Sequence, residues 1–78
     1  MYPVQCKMAR VALGWGIRDL AKAAKVSPDT VSRLERGEIL KERTIDALRL
    51  AFEAAGVQFI AEDDAGPGVR FKLPTGFR

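Results

Sequence analysis

The chain has 78 residues, 47% of them hydrophobic and 29% charged, with a formal net charge of +3 and one cysteine. This length allows a single domain with little core to spare, and the composition excludes a chain that is disordered throughout. One cysteine excludes an internal disulfide, and since no run of about 18 apolar residues occurs, the sequence predicts a cytoplasmic protein without a membrane span.

The first predicted helix runs from Val4 to Leu13, and Pro3 fits its start. Its apolar residues recur at helical spacing, with Gln5 among the polar residues between them. The recurring positions are Cys6, Ala9 and Leu13. At such a position Cys6 is predicted to be a buried thiol.

A second helix is predicted from Ile17 to Ala24, after two glycines that interrupt the pattern around Trp15. The third helix begins at Ser27-Pro28-Asp29, where serine can cap, proline fits the first helical position and aspartate suits the positive end of the helix dipole. Gly37 ends this helix.

The fourth helix is predicted from Glu42 to Ala55, after which the apolar period changes from 3.6 to 2. Strands are predicted over 57–61 and 69–73, separated by an acidic turn-rich loop. The sequence therefore predicts a mainly α fold: four helices in residues 1–56, with a short β-hairpin or strand pair in residues 57–78 as part of the same compact unit.

The segment from Ile17 to Gly37 has the properties of a helix-turn-helix. Its apolar residues fill the space between two short helices and leave the outer face of the second free to enter a major groove. That face is polar and carries Ser27, Asp29, Thr30, Ser32, Arg33 and Arg36. Residues 1–43 contain nine Lys/Arg and five Asp/Glu, whereas residues 44–78 contain four and five. The basic half suits a polyanion, although a solvated mixed surface would have the same composition.

Several stretches together resemble the lambda-repressor-like, or Xre, helix-turn-helix family. They are LGWGIRDLA at Leu13–Ala21, KVSPDTVSRLERG at Lys25–Gly37 and EAAGVQF at Glu53–Phe59. The resemblance implies a lambda-repressor-like fold and a regulator of transcription that binds double-stranded DNA sequence-specifically. We expect it to act as a repressor, and the apolar C-terminal strands of so small a chain favour a homodimer.

The resemblance also assigns roles to residues. Bases would be contacted by Ser27, Asp29, Thr30, Ser32 and Arg33, and phosphates by Arg36, Lys41 and Arg43. Arg10 would pair with Glu35 and tie the recognition helix to the first helix; an ordinary surface pair is the alternative. Asp29 would either accept from cytosine or only serve the helix dipole.

Two departures from the family pattern change the expected contacts. The family opens its second helix with Ser or Thr followed by Gln, whereas this chain has Gly16 and Ile17, so Arg18 or Lys22 would replace that phosphate contact. The family has glycine in the turn, whereas this chain has Lys25. A lysine there would adopt a positive φ, at a cost of about 1 kcal/mol, and would place a cation beside the DNA.

The β element has three possible roles: dimerisation, binding of another protein, or packing on the chain's own helices. Dimerisation would use the apolar residues Val57, Phe59, Val69, Phe71 and Leu73. An antitoxin whose β element binds a toxin, and an adaptor without DNA affinity, are the alternative functions. With no histidine, phosphate-binding loop or metal-ligand cluster, neither an enzyme nor a cofactor is expected.

Overall fold

The computed structural model describes residues 1–61 and 65–72. These residues form four helices followed by a two-stranded antiparallel sheet, which confirms the predicted mainly α fold with a C-terminal hairpin. In chain order the elements are α1 (Pro3–Ala12), α2 (Ile17–Ala24), α3 (Pro28–Glu35), α4 (Glu42–Ala54), β1 (Val57–Ile60) and β2 (Gly68–Phe71). Within the described residues, no helix combines the length and hydrophobicity needed to span a bilayer.

The core lies where α2 packs against α3 and α4, and where α1 packs against α3 and β2. Each helix contributes residues from one apolar face, as the 3.6-residue period predicts. The buried apolar residues are Cys6, Ala9, Leu20, Ala21, Val31, Leu34, Leu48, Phe52 and Val57. The ring of Trp15 stacks on Phe52 at 5.9 Å between centroids, and Phe59 meets Phe52 edge-on at 5.8 Å.

The helix boundaries lie within about two residues of those predicted. The third helix ends at Glu35 with Arg36 as its C-cap, and Gly37 follows as the predicted stop, with a φ of +90° and its N–H donating to the carbonyl of Leu34 at 2.9 Å. Glycine adopts this left-handed conformation without the Cβ clash of other residues. The turn directs the chain away from α3 and towards the start of α4.

Gln5 was predicted as one of the polar residues between the apolar positions of the first helix. In the structure it is buried, with only 3% of its surface exposed. Its Oε1 accepts from the N–H of Tyr2 at 2.8 Å, which caps the start of α1. Its Nε2 donates to the carbonyls of Ile60 and Gly68, both at 2.9 Å. Gln5 therefore links α1 to both strands.

The hairpin packs on the chain's own helices, with β1 against α4 and β2 against α1. Val57 pairs with Phe71 and Phe59 with Val69, and all four of these residues belong to the core or pack against it. Val57 is buried, whereas Phe59, Val69 and Phe71 are only partly buried, so the apolar face assigned to dimerisation is covered in part by the chain's own helices. Leu73 lies outside the described residues, and the dimer contact stays a prediction.

Candidate functional site

The turn between α2 and α3 is set by one lysine in an unusual conformation. Lys25 has φ 59° and ψ 44°, the left-handed region expected from its place in the motif. The N–H of the next residue, Val26, then donates to the carbonyl of Ala21 at 2.9 Å and closes the end of α2. Lys25 is exposed, so the turn carries a cation at the base of α3.

The start of α3 is capped by its own side chains. The Oγ of Ser27 accepts from the N–H of Thr30 at 3.1 Å and lies 2.9 Å from the Oγ1 of the same residue. Asp29 lies exposed in the first turn, where a carboxylate stabilises the helix dipole. The Ser27 hydroxyl has one donor and two acceptor sites. The two bonds with Thr30 use two of these sites and leave one for a further contact.

Val31 and Leu34 are buried and fix α3 against the core, so the other side chains of this helix are carried on a rigid element. Ser32 and Arg33 are partly exposed, and Arg36 is exposed just beyond the end of the helix. The hydroxyl and guanidinium groups on this side of α3 can bind both base edges and phosphates.

Arg33 and Arg36 share the carboxylate of Glu38. The Nε of Arg33 donates to Oε1 at 3.0 Å, and Arg36 donates from Nη2 and Nε to Oε2 at 2.8 and 3.3 Å. The hydrogen bond from Arg33, and then that from Arg36, lowers the pKa of Glu38. Glu38 was not predicted from the sequence, in which the available signal is an acid just beyond Gly37, two residues after Arg36 and five after Arg33.

A depression of about 440 Å³ lies between α3 and the start of α4. It brings together four of the residues assigned to DNA contact, Thr30, Arg33, Lys41 and Arg43. Ile39, also in its wall, is 96% exposed, and such an apolar group is available for contact with a thymine methyl. Ile39 was not predicted either, because a single apolar residue in a polar loop gives no pattern.

The remaining predicted contact residues lie outside this depression. Arg18 is exposed in the first turn of α2. The Oδ2 of Asp19 accepts from the N–H of Gly16 at 2.7 Å, but Gly16 provides no side chain to cap the helix as serine or threonine would. Within the described residues, no group of three or more His, Cys, Asp or Glu side chains is arranged to hold a metal ion.

Arg10 and Glu35 form a two-pronged salt bridge that joins α1 to the C-terminal end of α3. Nε donates to Oε2 at 2.9 Å and Nη2 to Oε1 at 3.1 Å, and the side chains are only 14% and 11% exposed. Arg10 also donates to the carbonyl of Trp15 at 3.1 Å, and the thiol of Cys6 donates to Glu35 at 3.4 Å. The first helix, the following turn and α3 are therefore joined by one ionic network.

Burial opposes the ionisation of Glu35, but the hydrogen bonds from Arg10 and Cys6 outweigh it and lower the pKa of this carboxyl. The hydrogen bond to Glu35 raises the pKa of Arg10. Burial, followed by the charge of Glu35, raises the pKa of the Cys6 thiol to about 12. Cys6 thus stays protonated at neutral pH and acts as a donor, not as a nucleophile.

A family model described as a helix-turn-helix domain matches residues 5–58, more than half of the chain. The matched segment extends from Gln5 through all four helices to the second residue of β1. No curated protein matches the chain.

Proposed function

The chain belongs to the helix-turn-helix domain family, and we propose from this that it is a transcriptional regulator that binds double-stranded DNA sequence-specifically. Within that family it is assigned to the lambda-repressor-like, or Xre, type on the motifs quoted above. The function proposed is one of binding, without catalysis or a cofactor.

One observation carries the proposal: α3 is fixed by buried residues while its outer surface and the adjoining depression carry cations and hydroxyls. Val31 and Leu34 face the core, whereas Thr30 and Arg33 share the depression with Lys41. A rigid helix of this kind positions a few side chains against base edges, and the cations beside it neutralise phosphates.

The proposed regulator is a repressor that acts as a homodimer. Within the described residues the sheet has two strands, so each strand has one edge without a neighbouring strand, and such edges pair readily with a second copy. Pairing across a two-fold axis would place two recognition helices on successive major grooves, about 34 Å apart. Sedimentation of the intact chain is expected to show a dimer at tens of micromolar, and selected DNA is expected to be palindromic. A monomer bound to single, asymmetric sites would contradict this part of the proposal.

Selection from a random duplex pool, followed by gel-shift titration at several salt concentrations, tests DNA binding directly. Each neutralised phosphate should add about −0.9 to the slope of log K against log salt. Lys41→Ala should make that slope shallower by about one phosphate. The matched control is Arg70→Ala, which removes a hairpin cation that donates to Gln58 at 2.9 Å. Affinity that does not change between low and moderate salt would contradict the proposal.

A further inference from the structure

An acid lies within the basic surface that is proposed to bind DNA. Glu38 accepts from both Arg33 and Arg36, and the three side chains are 43%, 43% and 58% exposed, respectively. Ion pairs this exposed contribute little to folding stability, because water and salt screen them. Stability therefore does not explain why a carboxylate lies where a polyanion would bind.

The bonding pattern leaves a particular part of Arg33 available. Its Nε is bound to Glu38, and among the described residues neither terminal amino group has a hydrogen-bond acceptor. Those two amino groups are the pair that an arginine presents to O6 and N7 of guanine. Glu38 thus fixes Arg33 through its Nε, while the two terminal amino groups remain available to a base.

A held arginine differs from a mobile one in what it gains from DNA. A free guanidinium loses side-chain freedom when it binds a base, and an immobilised one has already lost it. The negative charge of Glu38 acts in the opposite direction on phosphates, since it cancels part of the attraction that both arginines offer to DNA of any sequence. Together these effects favour a base contact over backbone contacts.

We propose that Glu38 is a positioning residue that makes DNA binding selective: it holds Arg33 for a guanine and weakens binding to other sequences. This inference rests on the function proposed above.

Two substitutions separate the two effects. Glu38→Gln removes the charge but keeps an oxygen able to accept from Arg33, whereas Glu38→Ala removes both. Glu53→Gln and Glu53→Ala are the matched controls, because Glu53 is an exposed acid near the end of α4. Binding is measured on the selected duplex, on a scrambled duplex, and on duplexes with each base at the position where Arg33→Ala relaxes the preference.

Both Glu38 variants should bind the scrambled duplex about two- to fivefold more tightly than the unmodified chain. Glu38→Ala should lower the preference for guanine about three- to tenfold, while Glu38→Gln should keep most of it. The Glu53 variants should change neither the affinity for the scrambled duplex nor the guanine preference beyond the general effect of removing one negative charge.

An unchanged guanine preference in Glu38→Ala would overturn the positioning role, and so would an equal change in Glu53→Ala. Both results leave DNA binding itself intact. Failure of the unmodified chain to bind any duplex at low salt would instead overturn the proposed function together with this inference. Circular dichroism of each variant checks that the fold is retained.

Discussion

Glu35 and Glu38, three residues apart on either side of Gly37, both bind arginine but in different surroundings. The pair of Glu35 with Arg10 is 11% and 14% exposed, whereas Glu38 and its two arginines are 43% to 58% exposed. The chemical groups are the same and the distances are similar. The difference in burial therefore separates an ion pair that is expected to stabilise the fold from one that is proposed to act in DNA binding.

Each partner of the largely buried pair makes a further hydrogen bond. Glu35 also accepts from Cys6, and Arg10 also donates to the carbonyl of Trp15. Removing one partner would leave a charge in a poorly solvated place, which costs much more than the intact pair contributes. The exposed pair carries no such penalty, because water replaces either partner. The two clusters therefore allow predictions of opposite kinds.

The largest effect is expected from Arg10→Met, which leaves Glu35 with only Cys6 as a side-chain donor. The free energy of unfolding should fall by about 2–4 kcal/mol, measured by urea denaturation at neutral pH. The matched control is Arg33→Met on the exposed cluster, expected to change stability by less than about 0.5 kcal/mol. Equal losses in the two variants would show that burial is not what distinguishes the clusters.

Substitutions in the exposed cluster should instead change the affinity for DNA. Arg33→Ala should weaken binding to the selected duplex by about 1–3 kcal/mol and relax the preference at one base position. Lys41→Ala should weaken all duplexes about equally, since a lysine at the start of α4 is placed for phosphate. If Lys41→Ala altered the selected motif while Arg33→Ala did not, the two roles would have to be exchanged.

Protonation of Glu35 at acid pH should lower the free energy of unfolding by less than the substitution of Arg10 does. The pKa of Glu35 is lower in the folded chain than its ordinary value of 4.5, so the unfolded state takes up the proton first as the pH falls. The stability from Glu35 is then complete above about pH 4.5 and is lost as the pH falls through the folded pKa. Urea denaturation between about pH 6 and 3 should therefore show a flatter decline in Glu35→Gln. Parallel curves would contradict this role of Glu35.

Local signals predicted most of the helical framework. The cap at Ser27 followed by Pro28, and the stop at Gly37, each depend on residues within one turn, so α3 could be placed from the sequence. The pair of Arg10 with Glu35 joins residues 25 positions apart, and only the family resemblance suggested it.

The residues missed depend on the tertiary fold or on the course of a loop. Gln5 is buried because two carbonyls, 55 and 63 positions along the chain, return to it. The helical period of the sequence does not predict contacts with such distant carbonyls, and a glutamine between apolar positions is more often solvated. Glu38 meets Arg33 only because Gly37 reverses the chain between them. The DNA-contact residues therefore stay a prediction from the sequence, and the pairing of Glu38 with two of them could not be predicted from it.

Lys25 does not fit the division between buried and exposed residues, since its side chain is exposed while its backbone is constrained. With φ at 59°, it occupies a conformation that costs a non-glycine residue about 1–2 kcal/mol. Glycine removes that strain but gives the unfolded chain more freedom, which offsets about half of the gain.

Lys25→Gly should therefore stabilise the fold by only several tenths of a kcal/mol to about 1 kcal/mol. The same change removes a cation beside α3, so DNA binding should weaken and its salt dependence should become shallower by up to one phosphate. Lys22→Ala, which removes an exposed cation from α2 without changing a strained turn, is the control. It should weaken binding without raising stability. A lower melting temperature for Lys25→Gly would mean that the lysine side chain stabilises the turn by more than its backbone strain costs.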